Sequence, residues 1–174
     1  MRKISIAIAL AGTSLLLGAC ATIPRPGPVG NTAVPEPAKP VDSKRYMGTW
    51  YEQFRYEASF QKDMDAVMAV YTLNADNKTF KVLNGGRRNG KWKEVTGKAK
   101  IVDTATNAKL KVSFFGPFYG DYWVLDHGDA YDWSIVGEPS GRYLWVLTRE
   151  AKPSADMLAD LEQRVKTLGY DWNL

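Results

Sequence analysis

The sequence has very few of the residues from which metal sites and nucleophilic active sites are built. Its 174 residues include a single cysteine, Cys20, and a single histidine, His127. A lone cysteine excludes an internal disulfide, and neither residue has a second copy that could complete a zinc site. No Gly-x-Ser-x-Gly segment is present, which is the sharp turn that carries the nucleophile of many hydrolases. We therefore expect no catalytic residue, no metal site and no cofactor.

The chain also lacks a strong net charge. The formal charge is +4, and Arg2 and Lys3 contribute two of these positive charges within the first 19 residues, which contain no acid. No segment combines clustered basic residues with aromatic ones, as nucleic-acid-binding surfaces do, so we expect no nucleic-acid partner. Aromatic residues, by contrast, make up 12% of the chain. Large rings favour strands and apolar cavities.

The long apolar run in this sequence lies at the N-terminus. A basic start, Met1-Arg2-Lys3, precedes a predominantly apolar stretch at residues 4–17, and Leu17-Gly18-Ala19-Cys20 closes it with small residues. This order is typical of a secretory signal peptide, predicted here at residues 1–19 and too short for a spanning helix. Its end resembles the bacterial lipobox, which implies acyl chains on Cys20 and a stable membrane anchor.

The residue after the lipobox bears on localisation. In bacterial lipoproteins an aspartate there commonly signals retention in the inner membrane, whereas this chain has Ala21. The resemblance therefore implies a lipid anchor in the outer membrane, and we expect the protein to face the periplasm.

Prolines are concentrated just after the predicted anchor. Six of the nine lie between residues 21 and 42: Pro24, Pro26, Pro28, Pro35, Pro37 and Pro40. No apolar periodicity runs through this stretch, so residues 20–41 are predicted to be a lipidated, semi-rigid tether. At roughly 3.1 Å per residue, the tether could hold the folded part up to about 70 Å from the membrane.

Residues 42–174 form the predicted folded domain. Short apolar or alternating runs recur there with turn-forming residues between them, at 49–56, 66–73, 79–84, 91–102, 108–115, 121–126, 130–137 and 142–148. The third run is predicted to end at Gly85-Gly86. Eight strands with short connections predict an all-β fold, an eight-stranded up-and-down antiparallel β-barrel, closed so that no strand edge remains free.

One amphipathic helix is predicted after the strands. Ser154 suits its N-cap and Gly169 its end, and the apolar stripe between them consists of Leu158, Leu161, Val165 and Leu168. Strand eight is apolar on both faces, so we expect this C-terminal α-helix to pack on the outside of the barrel.

Three landmarks resemble the lipocalin family. Gly48-Thr49-Trp50, within Tyr46-Met47-Gly48-Thr49-Trp50-Tyr51-Glu52, is similar to the family's glycine-x-tryptophan signature. Asp129-Ala130-Tyr131 looks like a variant of its threonine-aspartate-tyrosine motif, and Arg149 matches the arginine that packs across the tryptophan. The stretch from Lys111 to Gly120 is similar to the bacterial outer-membrane branch in particular. The resemblance implies that Gly48, Trp50 and Arg149 are structural, and that the barrel binds a fatty acid or a lysophospholipid.

The barrel interior is the predicted ligand site. If Trp50 points inward, strict alternation brings Phe54 and Tyr56 inward, and alternation from Arg149 likewise selects Tyr143 and Trp145. The predicted ligand-binding residues are Phe54, Tyr56, Leu110, Val112, Phe114, Tyr122, Tyr143 and Trp145. Basic residues near the predicted open end, where an anionic head group would lie, are Arg55, Lys62, Arg87 and Arg88.

Alternatives remain at this stage. The barrel could be filled by its own side chains and serve a protein partner or a homodimer through outer aromatic residues such as Trp92 or Trp123. An enzyme is a weaker alternative, because His127 lies in an Asp-His-Gly-Asp segment that is typical of a turn. A transmembrane barrel would need an apolar outer band, and the outward positions of Lys109 and Lys111 oppose it.

Overall fold

The computed structural model describes residues 27–174, so the predicted signal peptide and Cys20 lie outside the described residues. Eight antiparallel strands form a closed barrel. Each strand pairs with its neighbours in the sequence, and the last strand pairs with the first. Their bounds are β1 Gly48–Arg55, β2 Met64–Leu73, β3 Thr79–Arg88, β4 Lys91–Ile101, β5 Lys109–Ser113, β6 Gly120–His127, β7 Trp133–Gly137 and β8 Leu144–Thr148. The predicted eight-stranded barrel is confirmed.

The two ends of the barrel differ. A short helix, α1 (Ser43–Tyr46), crosses one end just before β1, and the side chain of Asp42 caps it by accepting hydrogen bonds from the N–H groups of Lys44 and Arg45. The sequence analysis did not predict α1. Because this helix buries Tyr46 against Trp50, we call this the closed end. The opposite, open end is bordered by the connections at 56–63, 89–90, 114–119 and 138–143, which we call the rim.

The third strand is longer than the sequence predicted. It continues through Gly85 and Gly86 to Arg88, and the turn to β4 falls at Asn89-Gly90, where both residues have positive φ. Gly85 leaves room for the Trp92 indole to lie over it, because a Cβ there would come within 2.5 Å of that ring. The glycine pair was therefore wrongly interpreted as a turn signal.

The C-terminal helix packs on the barrel as predicted. It is α2 (Ala155–Thr167), and the Ser154 side chain caps it by accepting a hydrogen bond from the N–H of Met157. Its apolar stripe covers the outer faces of β7 and β8, where Leu161 and Val165 are fully buried with Ile135 and Val146. Within residues 27–174, no helix is long and apolar enough to span a bilayer.

The N-terminal stretch of the described chain lies against the barrel. The N–H groups of Gly30 and Asn31 donate to the carbonyl of Gly141, at 2.8 and 3.2 Å. Further along, the N–H of Val41 donates to the carbonyl of Thr106. We call residues 30–41 the strap, since it runs from the rim to the closed end. Residues 30–41 are therefore bound along the barrel and do not extend away from it as a fully extended tether would, and the division into signal peptide, semi-rigid tether and folded domain stays a prediction.

Candidate ligand-binding site

Two of the eight predicted ligand-binding residues lie outside the barrel. The pairing of β1 with β8 shifts register between Glu52 and Phe54, and such a bulge reverses the alternation of side chains. Phe54 therefore packs on the outside against Trp172, with ring centroids 4.8 Å apart. Tyr56 follows it outward and donates a hydrogen bond to the carbonyl of Asp171. The prediction that both rings face the interior is wrong.

The other six predicted residues line the interior. Leu110 pairs with Tyr122 across β5 and β6, and both belong to the inner apolar cluster with Val112, Phe114 and Trp145. The ring of Tyr143 stacks on that of Trp145, with ring centroids 5.7 Å apart and an angle of 4° between the ring planes. The six residues are Leu110, Val112, Phe114, Tyr122, Tyr143 and Trp145. Their role in binding a ligand stays a prediction.

The closed end of the interior is filled with side chains. Trp50 is fully buried, and the guanidinium carbon of Arg149 lies 3.7 Å from the centroid of its ring. Arg149 also donates hydrogen bonds to the carbonyls of Arg45, Tyr46, Thr49 and Tyr131. Gly48 adopts a φ of +95° beside this guanidinium, a conformation that favours glycine. One guanidinium therefore ties α1, β1 and the β6–β7 connection together at the base.

A hydrogen-bonded group of hydroxyls lies above this base. The Tyr46 hydroxyl bonds those of Tyr122 and Ser134, at 3.0 and 2.9 Å, and the Tyr71 hydroxyl bonds that of Tyr122 at 3.1 Å. Burial raises the pKa of Tyr46 to about 12, and it raises the pKa values of Tyr71 and Tyr122 well above their usual value. Sequence analysis found only Tyr122 of this group, because the others come from α1, β2 and β7.

These phenols should resist ionisation until the protein unfolds. Because the folded pKa of Tyr46 lies near 12 and unfolded phenols ionise near pH 10, its contribution to stability is complete below pH 10 and is lost as the pH rises through 12. Tyrosinate absorbance, followed together with circular dichroism, should show these groups ionising only as the barrel unfolds. A barrel that stays folded while every tyrosine ionises near pH 10 would contradict this. The comparison variant is Tyr122→Phe, which removes two of the three hydrogen bonds between these hydroxyl groups.

A second polar group lies in the open half of the barrel. The buried carboxylate of Glu52 accepts hydrogen bonds from Arg55, at 2.6 Å, and from the side-chain amide of Gln61, at 2.8 Å. Burial raises the pKa of Glu52, against the opposing effects of Arg55 and Gln61. The indole N–H of Trp145 donates to the Gln61 side-chain oxygen. The bulge in β1 is what turns Arg55 inward, opposite Trp145.

The open half is accessible to solvent. Val95 pairs with Asn84, which pairs with the inward-facing Ala69, so Val95 lies on the inner face of β4; it belongs to the part of β4 beyond the pairing with β5, and 36% of it is exposed. Val112 and Trp145 on the inner wall are also only partly buried. Among residues 27–174, three interior polar atoms have no hydrogen-bond partner although they are buried: Asn84 Oδ1, Arg55 Nε and Arg88 Nε. The interior thus combines an apolar, partly exposed wall with buried polar groups near the rim.

A family model, the lipocalin-like domain, matches residues 41–174. The chain belongs to the lipocalin family. Its fold agrees with that of insecticyanin from the tobacco hornworm Manduca sexta, with a TM-score of 0.63 at 20% identity over 82% of this chain and 80% of that one. At that identity the likeness concerns the fold alone.

Relatives of this lipocalin include named bacterial lipoproteins. It is 38% identical over 150 residues to outer membrane lipoprotein Blc of Vibrio cholerae, which covers 83% of this chain and 87% of that protein. It is 37% identical to outer membrane lipoprotein Blc of Escherichia coli over 166 residues, covering 94% of this chain and 90% of that protein. The match with the bacterial outer-membrane branch is therefore shown over most of the chain.

Lipocalins are typically binding proteins, not enzymes. In this lipocalin the one histidine ends β6, where His127 pairs with Ser134 and is buried. Its ring nitrogens contact the carbonyls of Gly128 and Pro40, and its ring stacks on Tyr131 at 4.5 Å. His127 is thus a packed strand residue, not the turn residue that the sequence predicted, and its contacts fasten the strap.

A surface cavity of about 350 Å³ lies outside the closed end. Its lining includes Arg45, Tyr131 and Arg149, which already support the base through hydrogen bonds and ring contacts. Because these groups are engaged with one another, the barrel interior is the better candidate for a ligand.

Proposed function

We propose that this lipocalin binds a lipid with one acyl chain, a fatty acid or a lysophospholipid, and carries or stores it in membrane maintenance. The observation that supports this most directly is the contrast between the two halves of the interior. The closed half is filled, whereas the open half has an apolar, partly exposed wall that ends near Arg55 and Arg88. Clefts with apolar walls and a few polar groups suit amphipathic ligands.

The chemistry of the wall suits an acyl chain with its head group towards the rim. Val95, Val112 and Phe114 supply apolar surface, and the positive charge of Arg88 near the rim suits an anionic carboxylate or phosphate. Burying about 15 methylenes contributes roughly 12 kcal/mol before the costs of association and ordering, which remove several kcal/mol. We expect dissociation constants in the micromolar range or below.

The proposal includes a membrane anchor on Cys20. The relatives in Vibrio cholerae and Escherichia coli are named outer membrane lipoproteins. Together with the lipobox-like Leu17-Gly18-Ala19-Cys20, this supports acylation of Cys20 and a place in the outer membrane, facing the periplasm. A homodimer remains compatible with this arrangement.

Native mass spectrometry tests ligand binding. Residues 27–174, which include the strap, should retain a fatty acid or a lysophospholipid after incubation with mixed bacterial lipids. Trp145→Arg should lose it, because the change puts a cation into the inner wall. Trp92→Arg is the matched control, since Trp92 lies on the outer face, and it should keep the lipid.

A second interior variant separates binding from folding. Val95→Glu puts a charge on the exposed part of the inner wall, where the structural cost is small, and it should also lose the lipid. Wild-type protein that retains no lipid under gentle conditions would contradict the proposal and favour a lipocalin that serves a protein partner. Turnover of the added lipid would instead indicate an enzyme.

A further inference from the structure

The N-terminal part of the described chain joins the barrel at the rim. Gly30 and Asn31 donate their N–H groups to the carbonyl of Gly141, in the β7–β8 connection. The side chain of Arg142 donates to the carbonyl of Gly27, and a Cβ on Gly27 would lie 3.8 Å from the carbonyl oxygen of Glu57, in the β1–β2 connection. Both connections belong to the rim. The chain before residue 27 therefore leaves the barrel at its open end.

The short remaining length keeps the predicted anchor near the rim. Seven residue steps separate Cys20 from Gly27, and even a fully extended chain spans at most about 25 Å over that distance. The sequence alone predicted a reach of about 70 Å. The difference arises because the strap is bound along the barrel wall.

The rim exposes large aromatic side chains. Phe115 and Phe118 in the β5–β6 connection are 77% and 79% exposed, and Phe60 in the β1–β2 connection is 58% exposed. These two connections lie on opposite sides of the barrel mouth, because two strands separate them in either direction around the barrel. Exposed apolar side chains on both sides of the mouth indicate an interaction surface, and phenylalanine is among the residues that segments bound at a bilayer interface place on their apolar side.

The β3–β4 connection adds positive charge to the same end. Arg87, Arg88, Lys91 and Lys93 flank the turn at Asn89-Gly90, and Glu94 is the one acid among residues 85–96. Arg87 is within 3.7 Å of Asp65, so part of this charge is neutralised. Lys91 and Lys93 are exposed, and their charges suit a surface that carries phosphate groups.

We propose that the barrel docks with its open end against the membrane that holds its anchor, and that Phe60, Phe115 and Phe118 enter the lipid interface. This inference rests on the proposed function for the anchor on Cys20, and it adds the orientation. Ligand then passes between the bilayer and the barrel interior directly through the rim.

Site-directed fluorescence tests the orientation. Acylation occupies the single native cysteine, so Phe118→Cys places one free thiol on the rim, and Ala75→Cys places one in the exposed β2–β3 turn at the closed end. Each acylated full-length mature protein is labelled with a polarity-sensitive dye. It is then reconstituted in phosphatidylethanolamine and phosphatidylglycerol vesicles that contain nitroxide-labelled acyl chains. The label at position 118 should be quenched, and the label at position 75 should stay unquenched.

A double variant tests the aromatic residues themselves. Phe60→Ser with Phe115→Ser, in the protein labelled at position 118, should reduce the ratio of docked to undocked protein on the order of 100-fold, because two phenyl groups no longer leave water. Val102→Ser is the matched control, since Val102 is an exposed apolar residue at the closed end. It should leave quenching unchanged. Equal quenching in the double variant and the control would overturn the role of the rings.

The outcomes separate the orientation from the proposed function. An acylated, lipid-binding protein whose label at position 118 is unquenched, or is quenched no more than the label at position 75, overturns the orientation alone. A mature chain whose mass shows no acyl groups on Cys20 overturns the anchor and the orientation with it.

Discussion

Arg149→Met should lower the free energy of unfolding by about 3–5 kcal/mol. Four backbone carbonyls at the closed end, those of Arg45, Tyr46, Thr49 and Tyr131, would lose a charged donor. Hydrogen bonds to a charged group contribute about 1.5–3 kcal/mol each, and the cation–π contact with Trp50 adds about 0.5–2 kcal/mol. These contributions are not additive, which sets the expected total below their sum. Urea unfolding followed by circular dichroism measures the change.

Arg149→Lys is the informative control for this experiment. Lysine keeps the positive charge but has one compact ammonium group, which cannot reach four carbonyls on three elements at once. We expect it to recover less than half of the lost stability. If Arg149→Met unfolds at the same urea concentration as the wild type, the guanidinium does not hold the closed end together.

Trp50→Ala should cost about 3–5 kcal/mol of unfolding free energy. The side chain is fully buried, its indole N–H donates to the carbonyl of Tyr46 at 2.9 Å, and its ring lies 5.1 Å from that of Tyr46. Truncation leaves a cavity that the rigid barrel base cannot close, and large-to-small changes at such sites have costs of this size. Thermal and urea unfolding both measure it, and a variant that melts like the wild type would refute the assignment.

The effects of Arg149→Met and Trp50→Ala on the free energy of unfolding should not be additive. Since Arg149 packs on the Trp50 ring, removing either one already loses their contact, so the double variant should cost less than the sum of the single ones. Trp50→Phe keeps a ring under the guanidinium but loses the N–H donor and part of the buried ring volume. It should be markedly more stable than Trp50→Ala.

Alternation and capping signals are local, and they were sufficient to predict the number and order of the strands and α2, although not the end of β3. Ser154 caps α2 through a residue three positions away, and Leu110 and Val112 alternate with lysines within one strand. The ligand wall was predicted less well, since it depends on β1. The bulge beyond Glu52 depends on how β1 pairs with β8, almost a hundred residues later, and no local pattern indicates it.

Proline content was a misleading guide to the strap. The prolines indicated that this stretch is extended. They gave no information on whether its backbone N–H groups would form hydrogen bonds with the barrel. The partner of Gly30 and Asn31 is Gly141, whose φ is +65° and whose Cα lies so close to Asn31 that a Cβ would collide with its carbonyl. Such an approach between distant segments is visible only in three dimensions.

The closure of the barrel has a consequence for how the chain folds. β1 pairs with β8, so the first strand to be synthesised completes its hydrogen bonds only after the last strand exists. Pairing between distant segments is slow, and an unpaired strand edge is a template for association between chains. A barrel that has no free edge once it is folded therefore exposes one throughout its assembly. That interval, not the finished fold, is where chains of this kind are most exposed to aggregation.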